Sequence, residues 1–216
     1  IGELPPGVTA KDLGLAVLGL FGSEESTDSS QETAIYRALE FGGPGLASLS
    51  LESRMTLPNL MAEAGVKNAY LPPDEAVLRW LAERTEGKER RERREMGEGR
   101  ETEERGGTEG RLDAVMKRLA EGALYPDADA AYVARYTLDL SALEPLVACP
   151  HTPSNVVPLS QVAGTKVDQA FLGTCTNGRL EDLAAAAAVL AGDAGQVRRV
   201  APGTRLLVIP ASSQVL

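Results

Sequence analysis

The last third of the chain alternates between strand-like and helix-like segments. Residues 167–173 and 205–210 are apolar runs of strand length, and the alanine-rich residues 180–190 between them have the composition of a helix. A strand, a helix and a second strand in this order form a βαβ unit, and such a unit implies a parallel sheet. The sequence therefore predicts an α/β fold.

The first two thirds of the chain contain signals of the same two kinds. Thr9 is a suitable N-cap for a helix that runs to Phe21, because apolar residues recur there at helical spacing. A second helix is predicted to start near Thr56, with Pro58 in its first turn, and to end at Gly65. The other predicted elements are helices over 75–83 and 112–121, strands over 67–71, 132–140 and 143–149, and a strand, turn and strand over 40–50.

A densely charged segment interrupts this pattern at residues 84–111. It holds 18 of the 53 charged residues, nine acidic and nine basic, and its centre has Met96 as the one large apolar residue. Such a segment buries too little apolar surface to offset the cost of ordering the chain, so we expect a disordered insertion or a solvated helix. The interleaved glutamates cancel the field of the arginines, and the rest of the chain carries the whole net charge of −9. We therefore expect no nucleic-acid partner.

The composition also predicts the setting of the protein. No apolar run approaches the ~18–20 residues of a bilayer span, so we expect no membrane partner. Cys149 and Cys175 are too few for a disulfide framework, which makes a reducing, cytoplasmic setting the default. The chain begins with Ile1 and ends straight after a strand-like run, and we expect it to be an internal piece of a longer protein.

Cys175 is the first candidate for chemistry. It follows an apolar strand and precedes a helix, at the strand end where parallel sheets usually carry their sites. The free N–H groups of a helix N-terminus favour the thiolate form. A buried structural thiol, a metal ligand and a nucleophile are equally compatible with this position. Nothing in the sequence brings His151, the only histidine, within reach, and Cys149 lacks the spacing of a C-x-x-C pair.

Asn59 and Glu63 form a second candidate pair. They are four residues apart in a predicted helix, so both side chains would project from one face. From the residues alone, an exposed charge paired with Lys67, four residues further on, is the simpler interpretation of Glu63.

The segment FLGTCTNGRLEDL (residues 171–183) resembles the first cluster-ligand motif of the aconitase family, above all of the large subunits of 3-isopropylmalate dehydratase and homoaconitase. Four further segments resemble that family in the expected order, at residues 4–19, 40–65, 139–164 and 205–212. The resemblance covers nearly the whole chain except the charged segment.

This resemblance implies a 4Fe-4S cluster with Cys175 as its first ligand and two further cysteines outside this chain. It implies that Glu63 faces the open iron and handles the hydroxyl or water that leaves and returns, and that Asn59 helps to position the cluster or that water. Asn177 and Arg179 would hold the cluster loop or bind substrate. His151 is interpreted as a structural turn residue.

The resemblance also implies an incomplete, multi-domain architecture. Residues 1–144 would form a second α/β domain interrupted at 84–111, and residues 145–216 would begin a third domain that carries the cluster cysteine. The parent would be the large subunit of a hydro-lyase that isomerises 3-isopropylmalate, a small hydroxy acid, by dehydration and rehydration, with a separate small subunit as its partner. Homoaconitate and citrate are alternative substrates. A piece with one cluster thiolate should be inactive alone. There are two alternatives from other functional classes: a binding module without a cluster, and a cysteine-dependent hydrolase.

Overall fold

The computed structural model describes residues 1–21, 33–96, 105–192 and 198–215. Within these ranges the chain forms helices, two parallel strand pairs and one antiparallel pair, which confirms the predicted α/β class. It divides into two compact units, one of Ile1–Tyr70 with Thr137–Leu216 and one of Leu71–Tyr136. The domain boundary near residue 144 stays a prediction. None of the helices in the described ranges has the length and apolarity that a bilayer span requires.

Helix α1 (Ala10–Phe21) begins at the predicted cap and lies in the core of the first unit. Oδ2 of Asp12 accepts hydrogen bonds from the backbone N–H of Thr9 (2.7 Å) and from its hydroxyl (2.8 Å), which satisfies a free donor of the first turn. The helix buries its apolar face, which includes Ala10, Leu13, Leu15, Val17, Leu18 and Phe21.

A parallel strand pair with an intervening helix follows α1. Strands β1 (Ala38–Glu40) and β2 (Asn68–Tyr70) pair in parallel, and helix α2 (Leu51–Met61) lies between them in sequence. Helix α2 packs closely against α1 at Gly14 of α1. A Cβ on this glycine would stand 2.5 Å from Cδ2 of Leu60 on α2. The glycine at that position therefore lets the two helices come together.

Two expectations for this region were wrong. Helix α2 begins five residues before Thr56, because Oγ of Ser50 accepts the N–H of Ser53 (3.0 Å) and caps the helix, so that Pro58 lies inside it. The second strand expected within residues 40–50 is absent, and Pro44–Ser48 form a 3-10 turn instead. Gly65 ends the following 3-10 turn with a φ of 69°, in agreement with its predicted role as a cap.

The second unit is built on two helices that pack against each other, α3 (Glu75–Glu95) and α4 (Arg105–Glu121). Both are longer than predicted and extend into the charged segment. Ion pairs one turn apart accompany the extension, such as Arg91 with Glu95 at 3.0 Å. Residues 84–95 and 105–111 are therefore helical, as in the second of the two expected states. Residues 97–104 lie outside the described ranges.

The region from 132 to 158 differs most from prediction. The strand expected over 132–140 does not form. Its residues are largely exposed, and no neighbouring strand in the described structure pairs with them. A 3-10 turn spans Leu140–Ala142. Strand β3 (Leu146–Ala148) is present within its predicted range and pairs antiparallel with β4 (Val156–Pro158), which was not predicted. A short helix, α5 (Leu159–Val162), follows β4.

The predicted βαβ unit is confirmed. Strand β5 (Gln169–Gly173) leads through the short helix α6 (Thr174–Asn177) into helix α7 (Leu180–Ala191), and strand β6 (Arg205–Ile209) pairs in parallel with β5. The register joins Gln169 to Arg205 and Gly173 to Ile209. The turn that contains Cys175 therefore lies at the carboxyl end of a parallel strand.

Asp12 generates a prediction about the stability of the first unit. Its Oδ1 accepts the backbone N–H of Leu146 (2.7 Å) while Oδ2 holds Thr9, so one buried carboxylate joins α1 to β3. An Asp12→Asn substitution presents one oxygen instead of two and leaves a donor unpaired. We expect it to lower stability by about 1–3 kcal/mol, measured as a lower Tm of the full-length protein. Asp129→Asn, at an exposed site, is the control, and equal Tm values for both variants would contradict this role of Asp12.

Candidate functional site

The turn between β5 and α7 is built by close backbone approaches. A Cβ at Gly173 would stand 2.3 Å from the carbonyl oxygen of Ile209, and one at Gly178 would stand 2.6 Å from the carbonyl oxygen of Thr174. The N–H of Ala211 donates to the carbonyl of Gly178 at 2.7 Å, which fixes the turn to the end of β6. Thr174 has a φ of 91°, a conformation that a β-branched residue rarely adopts. The turn is thus held in a strained backbone geometry.

Cys175 lies on α6, inside this turn. Only its backbone falls within the described structure, so its role as a metal ligand stays a prediction. Cys149 is a half-buried free thiol just after β3. Among the side chains that the structure describes, no group of three or more His, Cys, Asp or Glu residues is placed to hold a metal ion.

Helix α2 contacts the two residues that follow Cys175 in the turn. Oδ1 of Asn59 accepts the hydroxyl of Thr176 at 2.7 Å, and Nδ2 of Asn177 donates to Oγ1 of Thr56 at 3.3 Å. Thr56 is only 2% exposed and Asn177 is half-buried, so this polar contact is partly shielded from water. The structure therefore brings together Asn59, Asn177 and the backbone of Cys175, all three of which the sequence analysis selected.

The start of α7 binds the start of α2. The carboxylate of Glu181 accepts the hydroxyl of Ser50 (2.6 and 2.9 Å to its two oxygens) and the hydroxyl of Ser53 (3.1 Å). In return, Oε2 of Glu52 accepts the backbone N–H of Glu181 at 3.2 Å. These hydrogen bonds join segments that are about 130 residues apart in the chain and dock α7 on α2.

Asp182 organises the residues that follow the turn. Its Oδ1 accepts Nδ2 of Asn177 at 3.1 Å, and its Oδ2 accepts the backbone N–H of Arg179 at 3.0 Å, as in a capping box. Two buried side-chain atoms in the same segment have no hydrogen-bond partner, the acceptor Oδ1 of Asn177 and the donor Nε of Arg179. Unpaired buried polar atoms are uncommon in folded proteins, and here one acceptor and one donor occur two residues apart.

A cavity of about 290 Å³ adjoins these side chains. Its wall combines polar residues of α2 and α7 with residues of α1. The lining includes Lys11, Ser53, Thr56, Asn177, Glu181 and Asp182.

Glu63 occupies a different position from the one predicted. It is exposed in a 3-10 turn (Ala62–Ala64) beyond the end of α2, so it does not share one α-helical face with Asn59. The ammonium of Lys67 lies 3.9 Å from the centre of the Tyr36 ring, and no ion pair joins Lys67 to Glu63 in this described region. The pairing with Lys67, which was the alternative interpretation of Glu63 from the residues alone, is therefore absent.

Glu63 lines a second cavity, of about 690 Å³. Its lining also includes Cys149 and His151, from the segment that links β3 and β4. His151 is exposed and lies in that connecting turn, in the kind of position that the sequence predicted.

Thr56, Glu181 and Asp182 were not selected from the sequence. A signal for Asp182 was present, since an acidic residue three positions after the N-cap of a helix is one half of a capping box. Thr56 and Glu181 carried no such signal, because their partners lie more than a hundred residues away in the chain.

Comparison with known proteins gives one family for the whole chain. The family described as "Aconitase family (aconitate hydratase)" matches residues 1–165 and 160–216. The "3-isopropylmalate dehydratase large subunit 1" of Methanopyrus kandleri is 40% identical over 214 residues, which are 99% of this chain and 40% of that protein. The "Homoaconitase large subunit" of Thermus thermophilus is 40% identical over 215 residues, 100% of this chain and 40% of that protein. The "Homoaconitase, mitochondrial" of Eremothecium gossypii is 40% identical over 216 residues, 99% of this chain and 28% of that protein. The chain therefore spans less than half the length of these relatives.

The turn around Cys175 generates a second stability prediction. A Gly173→Ala substitution places a methyl group against the carbonyl of Ile209, which no rotamer change can relieve. We expect a loss of about 2 kcal/mol or more in the free energy of unfolding, measured by denaturant titration of the full-length protein. Gly87→Ala is the matched control, because its Cβ meets nothing within 4 Å on helix α3, and it should stabilise by about 0.5–1 kcal/mol. Equal effects at both positions would show that the turn tolerates a side chain.

Proposed function

The chain belongs to the aconitase family, and from this premise we propose that it is part of the large subunit of a hydro-lyase that interconverts 3-isopropylmalate and 2-isopropylmalate. The observation that carries the proposal is the match of the whole chain to relatives named 3-isopropylmalate dehydratase large subunit, at 37–40% identity in Methanopyrus kandleri and Sulfurihydrogenibium. Relatives named homoaconitase reach the same identity, which makes homoaconitate the second candidate substrate. The reaction removes water from the hydroxy acid and returns it with the hydroxyl on the neighbouring carbon.

The cofactor that we propose is a 4Fe-4S cluster with Cys175 as one ligand. The donor set of this chain fits one corner of such a cluster, because Cys175 lies in a tightly built turn at a strand end, next to the unpaired buried atoms of Asn177 and Arg179. The remaining thiolates must come from outside these residues, since Cys149 is the only other cysteine. When bound, the cluster supplies an open iron that acts as a Lewis acid on the substrate oxygens.

The residues of this chain bind and orient the substrate in this proposal. The donor Nε of Arg179 and the acceptor Oδ1 of Asn177 suit a carboxylate oxygen and a hydroxyl hydrogen, the two groups that neighbour each other in a hydroxy acid. Burial of both atoms away from water strengthens the hydrogen bonds that a ligand makes with them.

Glu63 and Asn59 have separate roles in the proposal. In its protonated form the exposed side chain of Glu63 donates a proton to the leaving hydroxyl, and the carboxylate that results takes a proton from the returning water. Asn59 acts on the loop, because its Oδ1 holds Thr176, the residue after Cys175. We propose that a separate small subunit supplies the side chain that removes the proton from carbon. A partner of this kind agrees with the words "large subunit" in the relatives' names.

We also propose that the full-length protein works in a reducing compartment such as the cytoplasm. Thiolates that hold a cluster must remain reduced, and the chain carries two cysteines without a disulfide framework.

The cluster assignment predicts the behaviour of a Cys175→Ser variant. After anaerobic reconstitution of the full-length protein with iron and sulfide, we expect the wild type to show cluster absorbance and the variant to lose it, because one of its thiolates is gone. Cys149→Ser is the control and should retain the cluster. A normal cluster spectrum in Cys175→Ser would reject the assignment, and rapid alkylation of Cys175 with activity that needs no iron would favour a cysteine-dependent hydrolase.

The role of Glu63 predicts a different phenotype for Glu63→Gln. The amide keeps the shape of the side chain and removes its proton-transfer capacity. We expect the cluster spectrum to stay intact while kcat on 3-isopropylmalate falls by roughly 10²–10⁴-fold. Full activity of the variant in a steady-state assay would exclude Glu63 from the chemistry.

A further inference from the structure

We infer that Asp182 is a positioning residue. It orients the Asn177 amide so that this side chain presents a hydrogen-bond acceptor, and not a donor, to the substrate. This inference rests on the proposed function, because it assigns the acceptor that would bind the substrate hydroxyl. It starts from the two hydrogen bonds of the Asp182 carboxylate, one to Nδ2 of Asn177 and one to the backbone N–H of Arg179.

The orientation of the Asn177 amide follows from these partners. A carboxylate accepts hydrogen bonds and does not donate them, so the amide must turn its NH₂ group towards Asp182. Both hydrogens of that group are then used, one on Asp182 at 3.1 Å and one on Oγ1 of Thr56 at 3.3 Å. The reverse orientation would face the amide oxygen against a carboxylate oxygen, which is repulsive.

The fixed amide leaves its oxygen on the other side. That oxygen, Oδ1 of Asn177, is buried and has no partner, and Nε of Arg179 is buried and unpaired in the same segment. The pair therefore offers one acceptor and one donor. A hydroxy acid matches it with a hydroxyl hydrogen and a carboxylate oxygen, whereas a simple carboxylic acid satisfies only the donor.

Asp182 differs in this respect from its neighbour Glu181. The Glu181 carboxylate binds the hydroxyls of Ser50 and Ser53 on α2 and contacts neither Asn177 nor Arg179 in the hydrogen bonds of this region. The two adjacent acids thus separate two tasks, with Glu181 docking the helices and Asp182 orienting the amide. This separation supplies a matched control.

The test measures the preference for a hydroxyl group. Isothermal titration of the cluster-loaded full-length protein compares 3-isopropylmalate with isopropylsuccinate, its analogue without the hydroxyl. In Asp182→Asn, the oxygen of residue 182 must still accept the N–H of Arg179, so its NH₂ group faces Asn177 and the Asn177 amide turns over. The site then offers two donors. We expect the preference for 3-isopropylmalate to fall at least tenfold, with the cluster spectrum and kcat changed much less than KM.

Two further variants make the test specific. In the exchange Asn177→Asp with Asp182→Asn, the new carboxylate accepts from Asn at 182 and still presents an oxygen to the substrate, so the preference should return to within threefold of wild type. Asn177→Ala removes the acceptor without changing residue 182, and its preference should fall as in Asp182→Asn. This variant also serves as the test if Asp182→Asn fails to fold.

Glu181→Gln removes the same charge one position away but keeps an oxygen that can accept the hydroxyls of Ser50 and Ser53, so the docking should persist and the preference should stay within twofold. A wild-type preference in Asp182→Asn, an exchange that fails to restore it, or an equal loss in Glu181→Gln would each overturn the inference and leave the proposed function standing. A wild type that binds neither the cluster nor 3-isopropylmalate would overturn both.

Discussion

The docking of α2 on the segment from Thr174 to Asp182 holds the candidate site together. Asn59 and Thr56 bind the two residues that follow Cys175, and Ser50 and Ser53 bind Glu181. None of these side chains is close to its partner in sequence, so each bond closes a loop of more than a hundred residues. Polar partners in a part-buried interface demand specific geometry, because an unpaired group there costs more than a paired one contributes. The contact therefore fixes where the cysteine turn lies relative to the helix that precedes Glu63.

The same interface explains why the amide oxygen of Asn177 remains unpaired. Asp182 and Thr56 use both donors of the Asn177 amide and leave its oxygen without a partner, two residues before the unpaired Nε of Arg179. Among the buried side-chain atoms that the structure describes, this donor and this acceptor are the ones without a hydrogen-bond partner, which supports the proposal that they bind a ligand. The apolar packing of α1 on α2 holds α2 in place, with Leu18, Leu57 and Met61 fully buried.

The parts of the fold that were predicted from sequence depend on local signals. The βαβ unit at the end of the chain was recognisable because apolar runs and an alanine-rich segment alternate there, and α1 was recognisable by its cap and its spacing. The parts that were missed depend on distant partners. Residues 132–140 alternate like a strand and form none, since no neighbouring strand pairs with them, and β4 exists because β3 pairs with it. The charged segment is helical in its described part, where oppositely charged side chains one helical turn apart, such as Arg91 and Glu95, form ion pairs.

The sequence by itself determined the α/β class and the turn that carries Cys175, because both follow from residue types at short spacing. Its spacing from Glu63 made Asn59 a candidate, and the resemblance to the aconitase family added Asn177 and Arg179. Only the tertiary structure decided which of them meet. It placed Asn59 and Asn177 in one interface between α2 and the turn, placed Glu63 beyond the end of α2 and paired Asp182 with the Asn177 amide. The physical reason is that a hydrogen bond between side chains depends on their distance and direction in space, which residues more than a hundred positions apart acquire only when the chain has folded.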